Sequence, residues 1–253
     1  MNTAPHRSAI VAITTLALAG LALTACAGAG GASDGPGASG STHAATAPAK
    51  TFSEADLVKI LNTANTTLDA KGTVTDNGIL ADHPDKVESL PDRVKAQGGT
   101  LSPAACGPLF DKISTDLLTL GNDTGAYSAK LVYGSNVLGA TSSSKAIDVT
   151  KLSKLLSDDI DQMAAKCAKM SFTFSATGVS QHYTLTFTKE NAKTDAGFTD
   201  SYSEVTTVGS SSIHTVEVLA LDGNLLVGYA GINSAATIAD GTKAVNAVLA
   251  AAR

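Results

Sequence analysis

Between Ser171 and Tyr229 the chain runs strand after strand with only turns between, and that succession constrains its fold more than any other feature. Ser171–Ala176 sets Phe172 and Phe174 on one side. His182–Thr188 alternates Tyr183, Leu185 and Phe187 against His182, Thr184, Thr186 and Thr188, the two-residue period of a strand with one dry and one wet face. Ser201–Val208 repeats the pattern more weakly. Ile213–Leu221 and Leu225–Tyr229 flank Asp222-Gly223-Asn224, which reads as a hairpin turn. Two further runs, Tyr127–Tyr133 and Val137–Ser142, are joined by Gly134-Ser135-Asn136. Neighbouring strands linked by short turns pair antiparallel, which excludes a doubly wound parallel sheet.

Helical spacing brackets these strands. Thr51 to about Leu68 repeats Leu57, Ile60, Leu61, Ala64 and Leu68, with Ser53 as N-cap, Asp56 as its capping-box partner and Lys71-Gly72 as the stop. A short helix is expected around Asp92–Gln97, between Pro91 and a turn at Ser102-Pro103. Another starts at Gly107-Pro108, carries Leu109, Ile113, Leu117 and Leu120, and stops at Gly121-Asn122. Asp148–Lys169 gathers Val149, Leu152, Leu156, Ile160, Met163 and Cys167 into one stripe, leaving Asp158, Asp159 and Asp161 as an acidic surface. Ser234–Ala252 is an Ala-rich terminal helix. The expected class is α+β: a twisted antiparallel sheet of about five to seven strands, helices packed on one face, and the Thr-rich sides as the wetter face.

The first 50 residues stand outside that domain. Ala9–Leu23 is an apolar run shorter than the roughly 20 residues of a membrane-spanning helix, and it ends in Leu23-Thr24-Ala25-Cys26. That is a lipobox: residues 1–25 are read as a lipoprotein signal peptide and Cys26 as the acylated anchor, palmitate included. An ordinary leader cut near Ala25 and a retained single-span anchor are the alternatives. Residues 27–50 hold Ala, Gly, Ser, Thr and Pro with Asp34 and Lys50 as the charges, and so form no buried face. They read as a flexible tether with a reach of roughly 25–30 Å. Residues 51–253 are then one domain, on the extracytoplasmic side of the cell membrane.

Export leaves Cys106 and Cys167 as an even pair in an oxidising compartment, so a disulfide between them is expected. A redox-active pair, the other reading, wants Cys-x-x-Cys proximity. Past the leader the chain carries 17 basic and 23 acidic residues, no basic run and no Trp. Nucleic acid is therefore not an expected partner, and attachment to the membrane falls to the acyl chains on Cys26. His6, His43, His83, His182 and His214 are scattered, and no metal or cofactor site is read from their spacing. His182 and His214 fall on strands where a sheet could pair them. Gly-x-Ser-x-Gly is absent, and Ser142-x-x-Lys145 lies in a Ser-rich loop without its downstream partners. Asn65-Thr66-Thr67 and Asn122-Asp123-Thr124 fit a glycosylation pattern too short to weigh. No catalytic residue is proposed.

The lipobox, the tether and the low aromatic content resemble an actinobacterial surface lipoprotein. Gly98-Gly99-Thr100-Leu101-Ser102-Pro103-Ala104-Ala105-Cys106 resembles the Ser-Pro-x-x-Cys turns of the extracellular sensor domains of mycobacterial-type Ser/Thr kinases. The helix running into Cys167, and Asp222-Gly223-Asn224-Leu225-Leu226-Val227 before the terminal helix, are similar too. The resemblance implies a non-enzymatic α+β domain with a cleft for a small-molecule, lipid or cell-wall ligand. The expected function is a sensor-like binding domain using the Thr-rich face and the groove beside it. A carrier of envelope lipids, a hydrolase with an unfamiliar site, and a structural or adhesive surface protein are the alternatives.

Overall fold

The computed structural model describes residues 50–76, 90–96, 98–112, 127–143, 148–176 and 179–253. The leader, Cys26, the tether to residue 49, His83, Lys145, and Ile113, Leu117, Leu120, Gly121 and Asn122 lie outside them. In chain order the elements are α1 (Glu54–Thr67), β1 (Thr73–Asp76), α2 (Leu90–Ala96), β2 (Leu101–Ser102), α3 (106–112), β3 (Tyr127–Tyr133) and β4 (Asn136–Ser142). They continue with α4 (Val149–Lys166), β5 (Lys169–Ala176), β6 (Val179–Lys189), β7 (Phe198–Val208), β8 (Ser211–Asp222), β9 (Leu225–Ile232) and α5 (Ile238–Ala252).

The strands form one antiparallel sheet in the order β1-β3-β4-β9-β8-β7-β6-β5-β2. It has nine strands rather than five to seven. The two beyond the seven strand patterns in the sequence are its edges, β1 and β2, of four and two residues. Segments that short carry no alternation to read. Thr73-Val74-Thr75-Asp76 offers a single apolar residue.

Helices cover both faces, which corrects the expected one. On one face α1 and α5 pack over Leu131, Leu138, Ala140, Val216, Val218, Val227 and Tyr229. On the other, Leu152, Leu156, Ile160 and Met163 of α4 pack with Met170, Phe172, Tyr183, Leu185, Phe187 and Leu219. β8 and β9 pass between the two layers. Their runs Val216–Leu221 and Leu225–Ala230 are buried residue after residue, as strands covered on both sides must be. β6 keeps an open side, where His182, Thr186 and Thr188 are exposed, and at the other end of the sheet Thr73 and Thr75 of β1 and Val132 of β3 are exposed too.

Local chemistry fixes the helix ends. Ser53 and Asp56 form the capping box of α1, and Thr237 with Asp240 forms that of α5. α1 stops where Asp69 and Lys71 take left-handed φ of 49° and 53°, and the Asn65 amide brackets Gly72 through both its oxygen and its nitrogen, at 3.0 Å each. Asp148 caps α4, accepting from the Lys151 N–H. Asp159 is buried, not on the acidic surface, because Lys112 of α3 reaches it at 2.9 Å. Cys106 and Cys167 are joined, with Cα atoms 5.6 Å apart, so the start of α3 is fastened to the end of α4.

The two ends of α5 mark two ends of the domain. At its C-terminus Lys50 donates to the Ala252 carbonyl (2.7 Å) and lies over the Phe52 ring, while the Phe52 N–H donates to Ser142 Oγ (2.9 Å). The chain therefore enters the fold there. The N-terminus of α5 is 15 residues away, about 22 Å by helix rise, beside the β3–β4 turn.

Candidate functional site

A cleft of about 280 Å³ opens at that far end. α1 contributes its C-terminal edge through Leu68 and Ala70, the β3–β4 turn contributes Tyr133 and Asn136, and β9 contributes Tyr229 with Asn233 just beyond it. Asp240, Lys243 and Ala244 of α5 close the remaining side. The register explains the convergence: Tyr133 stands opposite Asn136, and Asn136 opposite Gly231, so β3, β4 and β9 present neighbouring positions on one face.

Gly231 is required by the packing there. A Cβ at this position would lie 2.6 Å from the Tyr229 hydroxyl and 2.7 Å from Ala236 Cβ. Its absence lets the Tyr229 hydroxyl donate to Asn136 Oδ1 at 3.1 Å. Burial pushes the Tyr133 phenol up to about 12, with the Asp240 charge adding to it. Burial raises Tyr229 as well, with Tyr133 and Asp240 contributing. Both phenols are thus neutral at physiological pH and present O–H groups. The cleft combines two phenols, two amides, a carboxylate and an ammonium over an apolar floor, the make-up of a small-molecule site.

A second polar group lies on the opposite face, within the sheet. Glu204 and Thr206 of β7 and Glu217 and Thr215 of β8 are all buried, and Tyr202 donates to Glu217 Oε2 at 2.5 Å. Burial pushes Glu204 up to about 7; burial, and then the Glu204 charge, pushes Glu217 up to about 8 against the lowering effect of the Tyr202 hydrogen bond. Tyr202 is raised well above its ordinary value, first by burial and then by the neighbouring carboxylates.

The residues singled out in the sequence fall elsewhere. His214 lies opposite Val205 and Val205 opposite Thr186, four residues along β6 from His182, so the two histidines are two strands and about 13 Å of strand apart and do not pair. Ser142 is buried as the acceptor of the Phe52 N–H, and the Asn65 amide is committed to Gly72. Among the described residues no group of three or more His, Cys, Asp or Glu is placed to hold a metal ion. No described helix is long and apolar enough to cross a membrane. The space between sheet and helices is filled by Tyr183, Tyr229, Phe172, Leu57, Leu61 and Met163, each fully buried. The cleft residues escaped the sequence reading because they come from three regions that only the β4–β9 pairing brings together. Glu217 did carry a signal: a lone carboxylate inside Val216–Leu221, a run otherwise apolar.

No protein-family model matches the chain, and no curated protein matches it. Among solved structures, the chain is similar to the extracellular domain of PknH from Mycobacterium tuberculosis, with a TM-score of 0.44 and 12% identity over 80% of this chain and 97% of that one. It is also similar to a protein of Mycobacterium smegmatis, an Rv0999 ortholog, with a TM-score of 0.41 and 11% identity over 79% of this chain and 99% of that one. Both likenesses are loose.

Proposed function

We propose that this chain is a membrane-anchored extracytoplasmic lipoprotein whose domain binds a small polar ligand without transforming it, in the cleft between Tyr133, Asn136, Tyr229, Asp240 and Lys243. The observation that carries the reading is the convergence of these groups around a space of about 280 Å³, at whose edge Gly231 makes room for the Tyr229 hydroxyl. Two neutral phenols and two amides supply donors and acceptors, and Lys243 and Asp240 supply one charge of each sign. That set suits a compact molecule carrying hydroxyl, amide or carboxylate groups. It does not suit an acyl chain, and neither does the well-filled space between sheet and helices.

The anchor supports the same reading. Acyl chains on Cys26 and a tether ending at Lys50 attach the domain by the C-terminal end of α5, and the cleft lies about 22 Å away at the other end. A ligand in the envelope would meet the cleft first.

Thermal-shift and calorimetric titration against amino acids, small sugars and short cell-wall muropeptide fragments tests the proposal. A saturable response is expected in the natural chain and is lost in G231A, whose new methyl enters the space held by the Tyr229 hydroxyl, and in Y229F with N136A. Responses unchanged in both variants would move the site elsewhere. Turnover of any of these compounds would overturn the non-catalytic reading.

A further inference from the structure

We propose that the groove between the β6–β7 loop and α5 binds a small organic dianion, a phosphate ester or a dicarboxylate carried on an apolar body. The groove holds about 660 Å³ and meets the cleft at Lys243, which lines both. Ala192 and Lys193 stand on its loop wall, and Ile238, Ala239, Lys243 and Asn246 on its helix wall.

The loop itself is unusual for this sheet. β3–β4, β7–β8 and β8–β9 each turn in two residues, whereas β6 and β7 are joined by eight, Glu190–Gly197. Antiparallel pairing does not require that length. The loop is nonetheless pinned. The Ala192 N–H donates to Ser201 Oγ and the Asp195 N–H to Asn246 Oδ1, at 2.9 Å each, and Arg253 donates to the Asp195 carbonyl at 2.8 Å. A wall ordered before binding loses little entropy when a ligand arrives.

The donor inventory selects the ligand. Lys193 and Lys243 are exposed, one from each wall, and neither forms an ion pair among the described residues. Asn246 spends its oxygen on the Asp195 N–H, so its amide nitrogen remains to donate. No carboxylate lines the groove. Asp240 is held in the α5 capping box, Glu190 accepts from Ser203 at 2.7 Å, and Asp195 lines neither wall. A concavity with two ammonium groups and no acid, on a chain of formal net charge −5, is complementary to an anion. Ala192, Ile238 and Ala239 add apolar surface that a bare inorganic ion would leave unused, which selects an organic one.

Calorimetric titration of the purified chain with phenyl phosphate and isophthalate, and with benzamide as the neutral control, tests the proposal. Saturable binding of at least one of the two anions, weakened by added NaCl, is expected, and none of benzamide. K193Q and K243Q should each weaken the anion by roughly 3- to 5-fold, the range an exposed charge pair supplies. K59Q, an exposed lysine of α1 that lines neither groove nor cleft, should bind as the natural chain does. Lys193 lines the groove alone, so a response that falls in K193Q and persists in G231A assigns the groove whatever the cleft binds. Loss in G231A with full binding in K193Q would place the anion in the cleft and overturn the proposal. So would absence of binding of both anions, equal binding of benzamide, or K193Q and K243Q that bind no more weakly than K59Q.

Discussion

Replacing Glu204 and Glu217 with Gln should flatten the pH dependence of stability. Both carboxyls have an ordinary value of 4.5 and are raised by burial, to about 7 and about 8. From pH 4.5 upward the unfolded chain gives up these protons while the folded chain keeps them. The folded state binds more protons over that interval, so its stability falls as pH rises. The contribution is fully present below pH 4.5 and is lost as pH climbs through about 7 for Glu204 and about 8 for Glu217. One unit of separation is worth about 1.4 kcal/mol. Glu217 therefore carries on the order of 5 kcal/mol across the window and Glu204 on the order of 3, with mutual coupling reducing the sum. Gln has no proton to lose, and its amide oxygen still accepts from Tyr202. Urea unfolding at pH 5, 6, 7 and 8 measures this. The natural chain should lose several kcal/mol from pH 5 to 8 and the double variant far less. Equal slopes in the two proteins, or stability that rises with pH in the natural chain alone, would refute the reasoning.

Three further outcomes follow from packing. G241A should destabilise the protein even though Ala favours a helix by about 1 kcal/mol, because its Cβ would lie 2.7 Å from both Tyr229 Cδ1 and Val218 Cγ2 and overpacking costs about 1–3 kcal/mol; a higher Tm would contradict the close approach of α5 to the sheet. C106S with C167S should lose about 4 kcal/mol in denaturant unfolding, since the bond closes a loop across 61 positions. S53A and T237A should each cost about 1 kcal/mol through loss of a capping box, measured the same way.

What could be read from the sequence depended on how local its cause was. The α1 capping box is spelled out by Ser53 and Asp56, and the α4 stripe by Leu152, Leu156, Ile160 and Met163, because each acts within a turn or two of its own helix. The seven longer strands were marked by their own residues, β6 by its two-residue period and β8 and β9 by unbroken apolar runs. The edge strands were not, since β1 exists only because β3 offers it a partner. Coverage of both faces was written in Val216–Leu221, whose lack of alternation is the mark of a strand buried on two sides. Asp159 looked like solvent-facing charge because its partner Lys112 is 47 residues away. Both polar sites were hidden for the same reason. Tyr133, Asn136, Tyr229 and Asp240 meet through long-range pairing, and Glu204 meets Thr215 only across a hairpin whose register no single strand reveals.

Display of the domain outside the membrane on an acylated Cys26 is tested most directly by the intact mass of the protein purified from its native membrane. A chain beginning at Cys26 and carrying the added mass of a diacylglyceryl group and an amide-linked acyl chain is the predicted result. A chain that still begins at Met1, or one cut near residue 26 with no added mass, would contradict it.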